Sequence, residues 1–146
     1  MMQKTQIIVG SFEQVAFPKL HIDDVFAKID TGAYSGALHC HEIKVVRRQG
    51  KRVLRFQPLH GRSAFVEIDD FKSAYVTSSS GHRVKRYIIE TDVIILGKRY
   101  TMSIGLTNRK DLKSDALIGR RFLRKHGIIV DVRRNAEFDS DGGGNE

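Results

Sequence analysis

Apolar positions along this chain fall into short runs separated by turn residues, and most of these runs predict strands. Ile7 to Phe17 is apolar and β-branched and is closed by Pro18; Val25 to Ile29 leads into Asp-Thr-Gly. Ile43 to Val46 and Val53 to Phe56 flank the polar stretch RRQGK, which reads as a hairpin. Ala64 to Ile68 alternates apolar with polar, and Ser73 to Thr77 runs up to the turn-rich SSSGH. Val93 to Leu96 and Tyr100 to Leu106 form the clearest hairpin, joined by Gly97-Lys98-Arg99. One helix is predicted, RRFLRKHG over residues 120 to 127, with Gly127 as its stop. It follows the apolar run Ala116-Leu117-Ile118-Gly119 and precedes a last strand, Ile128 to Val132. Short strands broken by turns at intervals of about ten residues indicate an all-β barrel or sandwich, not βαβ units.

Size and composition narrow this picture without changing it. A chain of 146 residues suits one domain, set here at residues 1–134, followed by an acidic, glycine-rich tail (NAEFDSDGGGNE, 135–146) expected to be flexible. No run is long enough for a membrane span and no secretory leader is visible, so a cytoplasmic location is expected. A single cysteine, Cys40, excludes an internal disulfide framework. The net charge of +8 implies attraction to polyanions. Aromatic RNA-binding signatures, zinc-finger spacing and long basic tails are absent, so no specific nucleic-acid reader is expected.

The chemistry concentrates in FAKIDTGAYSGALHC, residues 26 to 40. A tripeptide D-T-G is weak evidence alone, because Asp30 could simply hydrogen-bond the backbone two residues on in a strand-ending turn. Its context is more specific: an apolar strand, D-T-G-A, a long β region, then ALIG before RRFL. In this combination the sequence resembles the retropepsin-like aspartic peptidases. The strings IDTGAYSGALH, LIGRRFL and IIVDV are similar to a bacterial family labelled ATP-dependent zinc proteases but built on the retropepsin-like fold. Asp30, Thr31, Gly32, Ala33, Ala37, Leu38 and His39 fit its pattern, while Tyr34 stands where a basic residue is common.

The resemblance implies an all-β, retropepsin-like closed barrel with one short C-terminal helix. It implies Asp30 as the catalytic carboxylate, with Thr31 and Gly32 shaping its loop. Aspartic peptidases need two carboxylates sharing a proton, and this chain has one D-T-G, so a C₂ homodimer is expected. Ala33, Ser78, Gly81, Arg86 and Arg120 are the candidate substrate-binding residues, and His39 and Gly119 the structural ones at the site. The flap that closes over substrate falls in residues 77–83 or in PLHGR, residues 58–62. Members of the family are associated with ATP-grasp glutamate ligases, which implies an acidic or glutamylated peptide substrate and a ligase as partner. The alternative is a non-catalytic dimeric binding module of the same fold.

Zinc is the rival chemistry. HExxH is absent, and His39 and His41 of HCH would share one strand face with Cys40 opposite, short of the three protein ligands of a catalytic zinc; His21, His60, His82 or an aspartate could complete the set, but nothing in the sequence selects one. No cofactor and no metal site are expected, and Cys40 is read as a small buried side chain. A Walker-type motif is also absent, so ATP would act only through a partner.

Overall fold

The computed structural model describes residues 6–59, 64–77, 80–108 and 114–139. In chain order these form β1 (Ile8–Val9), β2 (Phe12–Phe17), β3 (Ile22–Asp30), β4 (Gly36–Arg48), β5 (Lys51–Pro58) and β6 (Val66–Ile68). There follow β7 (Phe71–Thr77), β8 (Arg83–Ile95), β9 (Lys98–Thr107), β10 (Ala116–Gly119), α1 (Arg120–His126) and β11 (Ile129–Val130). Six strands close on themselves in the order β10-β3-β2-β8-β9-β4, the ring being completed where β10 also pairs antiparallel with β4. Closure removes the free edges of these six strands at the seam. Outside the ring, β5 and β6 extend the sheet from β4, β7 pairs with β8, and β1 and β11 form a separate parallel pair.

The core follows from strand alternation. In β3, Ile22, Val25, Ala27 and Ile29 are buried while Asp23, Asp24 and Phe26 face out. Phe17, Leu20, Leu38, Leu54, Phe56, Ile89, Ile95, Ile104 and Ile118 are almost wholly buried in one cluster. Truncating one of the large members, such as Phe56→Ala, would cost about 3–5 kcal/mol in lost burial and cavity.

Four expectations need adjustment. The run Ile7 to Phe17 is two strands, not one: it breaks at Gly10-Ser11, and its halves pair with β11 and with β3. β4 begins at Gly36, well before the expected Ile43, because GALH borrows its stability from parallel pairing with β9 and from β10 rather than from its own propensity. The β8–β9 hairpin turns on Leu96-Gly97, both at positive φ, with Lys98 already paired to Ile95, as a tight two-residue turn requires. The final strand is only Ile129–Val130, because the chain turns at Asp131, whose carbonyl accepts from Arg134 N–H at 3.0 Å.

The segment after Arg134 begins in contact with the barrel. Asn135 Nδ2 donates to the Phe12 carbonyl at 2.6 Å, and the Phe138 ring lies 4.7 Å from that of Phe26. The helix matches the expected span, with Gly127 at φ 62 as its left-handed cap. Among the described residues no helix is long and apolar enough to cross a membrane.

Candidate active site

Asp30 is the last residue of β3, and the five-residue loop that follows, Thr31 to Ser35, is held from three sides. Its own Oδ1 accepts from Gly32 N–H at 3.0 Å, and its carbonyl accepts from Ala33 N–H at 3.2 Å. The first turn of α1 supplies the second clamp: Arg120 N–H donates to the Ala33 carbonyl at 2.8 Å and Arg121 N–H to that of Tyr34 at 3.0 Å. Helix-start N–H groups have no partner within the helix, so the loop carbonyls satisfy them. The third clamp is the Arg120 side chain, whose Nη1 donates to the Gly32 carbonyl at 3.0 Å.

The strand β10 makes this possible by running between the two ends of the loop. It pairs parallel with β3, setting Gly119 beside Asp30, and antiparallel with β4, setting Leu117 beside Ala37. The approach is close. A Cβ at Gly119 would lie 2.7 Å from the carbonyl oxygens of both Tyr34 and Ser35, and one at Gly36 would lie 2.8 Å from that of Leu117. Glycine is required at both places by space, not by dihedral angle.

Beside the loop lies a cleft of about 400 Å³. Ala33, Ser35 and Ala37 form its floor, while Lys72, Ala74 and Val76 from β7 and Arg86 and Ile88 from β8 line it from the hairpin. Lys72, Arg86 and Arg121 are its charged lining, with no acid among the lining residues. Thr31 and Arg120 border a second, mainly apolar depression with Leu123, Ile128 and Ile129.

The predicted residues therefore separate into groups. Asp30, Thr31, Gly32 and Ala33 stand together in the loop, Gly119 packs against it, and Arg86 lines the cleft. Arg120 does not line the cleft: it bonds to the loop, and its guanidinium lies 5.5 Å from the Tyr34 ring, so Arg121 is the arginine that faces the cleft. Gly81 lies at the exposed end of the β7–β8 hairpin with φ 85, away from the lining, and Ser78 lies outside the described residues. Of the alternative flap segment, Pro58 ends β5 and Leu59 N–H donates to the His39 carbonyl at 2.8 Å; residues 60–62 lie outside the described residues. The sequence reading missed Lys72 as a lining residue, although alternation in FKSAYVT places Lys72, Ala74 and Val76 on one face.

His39 is buried in β4, its backbone N–H donating to the Asp115 carbonyl at 2.9 Å. Its ring meets that of His41 edge-on at 4.9 Å. Among the described residues no third His, Cys, Asp or Glu converges on this pair, which is one donor short of the three protein ligands of a catalytic zinc; His60 lies outside the described residues. Cys40 is wholly buried, and burial pushes its thiol up to about 12 from an ordinary 9.0, which removes the thiolate a nucleophile needs.

The chain belongs to the RimB-like family of retropepsin-like aspartic endopeptidases, whose family model matches residues 8–138. It is also similar to proteins named "Probable alpha-L-glutamate ligase". That of Shewanella pealeana is 26% identical over 133 residues, covering 88% of this chain and 29% of the relative. That of Desulfotalea psychrophila is 28% identical over 127 residues, covering 84% and 27%. The chain thus spans under a third of these curated relatives, 29% of the first. Among solved structures, a Legionella pneumophila protein described as of unknown function (DUF785) superposes with a TM-score of 0.66 at 27% identity, covering 88% of this chain and 95% of that one. The fold is retropepsin-like.

Proposed function

We propose that this domain is an aspartic-type peptidase, active as a C₂ homodimer, that hydrolyses acidic or glutamylated peptides with two Asp30 carboxylates paired across the axis. The observation that carries this reading is the clamped loop. Asp30 Oδ1 is fixed by Gly32 N–H, and the backbone of residues 32–34 is tied to α1. A carboxylate is thereby held in one orientation, in a loop whose Ala33 and Ser35 line the cleft, as positioned catalysis needs.

In the paired state one carboxylate takes a proton from the attacking water while the other, protonated, donates to the carbonyl oxygen of the scissile bond. The two apparent pKa values belong to the dyad as a unit. One chain supplies one such loop, so the second carboxylate comes from the second copy. The apolar depression beside Thr31, together with exposed Ile8, Ile129 and Val132, is the surface that such a dimer would cover. Thr31 would then bond across the axis, and Gly32 would let substrate backbone approach the carboxylates.

The β7–β8 hairpin serves as the flap in this reading, because Lys72, Ala74, Val76, Arg86 and Ile88 line the cleft from it. The charge of the lining, Lys72, Arg86 and Arg121 without an acid, supports glutamate-rich substrates. An ATP-grasp glutamate ligase as partner and a cytoplasmic location belong to the same proposal. The similarity to proteins named as ligases, of which this chain spans 29%, favours a second reading. In it the domain is a non-catalytic module that docks a ligase or its acidic product.

An oligoglutamate panel separates the two. Peptidase action predicts cleavage that survives a chelator, is blocked by a statine-type mimic and is lost in Asp30→Asn. Loss with the chelator alone would transfer the chemistry to a metal, and binding without cleavage would select the module.

A further inference from the structure

The outer parts of β4 and β5 form an arm closed by Gln49-Gly50, both at positive φ, with β6 alongside Leu54 to Phe56. In its register Lys44 faces Arg55, Arg47 faces Arg52 and Arg48 faces Lys51, with Val45–Leu54 and Val46–Val53 between them. Like charges set directly opposite destabilise a strand pair, and three such pairs occupy one arm. One nearby acid, Glu67, pairs with two of these six cations and leaves the arm positive. Glu67 accepts from Arg48 at 2.7 Å and lies 3.5 Å from Arg55. Asp69 and Asp70 occupy the turn before β7 and make no ion pair with the arm. Lys44, Arg47, Lys51 and Arg52 have no acidic partner among the described residues: Arg47 Nη1 donates to the Gly50 carbonyl at 3.2 Å, and Arg52 lies over the Phe71 ring at 5.7 Å.

Cations often guard an exposed edge strand, and among the described strands residues 43–48 of β4 pair only with β5. Alternating signs would guard that edge as well and would stabilise the arm, so the guard accounts for charge but not for its single sign. The arm reaches β7 at Phe71, on which Arg52 sits, on the face of that strand opposite to Lys72 and the cleft.

We infer that the β4–β5 arm is an exosite that holds an extended acidic polypeptide. Its binding does not rest on the peptidase reading. An extended chain can add to the free edge of β4 through backbone hydrogen bonds. Its side chains alternate between two faces, and the arm carries cations on both, Lys44, Arg48, Lys51 and Arg55 on one and Arg47 and Arg52 on the other. A nucleic acid has no strand backbone to offer that edge.

The test uses the full chain carrying Asp30→Asn, with fluorescein-labelled twelve-residue and four-residue oligoglutamates read by anisotropy at two salt concentrations. Arg47→Gln/Arg52→Gln is compared with Lys19→Gln/Lys98→Gln, which removes the same charge elsewhere. The expected result is at least a tenfold loss of affinity for the long peptide in the arm variant, little change in the control variant, and little change for the short peptide in either. Removing a like-charge pair should leave the thermal midpoint equal or higher, so a folding defect would be visible. Equal losses in both variants would reduce the arm to general charge and overturn the exosite. Tighter, arm-dependent binding of a duplex RNA of matched charge would overturn the polypeptide assignment. Cleavage of the short peptide by the unmodified chain reports on the peptidase reading separately.

Discussion

Gly119 lies beside Asp30 in the parallel pairing of β10 with β3, so close to the loop that a Cβ there would stand 2.7 Å from the Tyr34 and Ser35 carbonyl oxygens. Those atoms are backbone and cannot swing away. Gly119→Ala should therefore shift the loop, costing about 1–3 kcal/mol through overpacking and lowering kcat by more than the stability loss alone would. Gly97→Ala is the comparison: its φ of 78 gives strain, but open space surrounds it at a distant turn. It should destabilise by about 1 kcal/mol with turnover unchanged. Equal kcat for both variants would mean that the loop position does not matter.

Asp30→Asn should fold and dimerise as the parent does while hydrolysis disappears, because an amide cannot shuttle the proton. Circular dichroism, sedimentation and the peptide assay read the three properties on one sample. Retained turnover would remove Asp30 from the chemistry.

Arg120 acts through the loop and is a positioning residue. Its bond to the Gly32 carbonyl at 3.0 Å is made by a charged donor, worth up to about 1.5 kcal/mol net at a half-buried site. Expressed in the transition state, that is roughly tenfold in kcat. Arg120→Ala should lower kcat with KM little changed. Arg121→Ser, at the cleft, should raise KM for acidic peptides instead. The reverse split would exchange their roles.

Because the cleft carries Lys72, Arg86 and Arg121 without an acid, kcat/KM for glutamate-rich peptides should fall steeply with salt. The Debye length shrinks from roughly 30 Å at 0.01 M to about 10 Å at 0.1 M. Neutral peptides should show flat curves, and Arg86→Gln should flatten the acidic one. Specific activity should also fall on dilution through the dimer dissociation constant, in step with sedimentation; an active monomer would end the paired-carboxylate proposal.

Cys40 offers a test of the core. Its folded-state pKa is raised to about 12 from 9.0 by burial, so the folded chain favours the neutral thiol. That contribution is complete below pH 9 and is lost as pH rises towards 12. Thiol reagents at pH 8 should react only at the rate of unfolding, and Cys40→Ser should cost about 1–3 kcal/mol for a buried hydroxyl. Rapid labelling of the native chain would contradict the burial.

Local chemistry was readable from sequence where a residue's own backbone preference decides the outcome. Gln49-Gly50 turns one hairpin, Gly127 stops the helix at φ 62, and alternation in β3 sorts Val25, Ala27 and Ile29 from Phe26. The D-T-G-A string with ALIGRRFL marked the loop and the strand that passes it, because tight turns and close approaches restrict residue type. The rest depended on partners distant in the chain. Gly36 to His39 became a strand because β9 and β10 pair with it, and Gly10-Ser11 broke one apolar run because its halves found different neighbours. Arg120 and Arg121 are adjacent in sequence and alike in chemistry, yet one ties the loop and the other faces the cleft. Successive helical residues point about 100° apart, so only the packing of α1 against the loop could assign them.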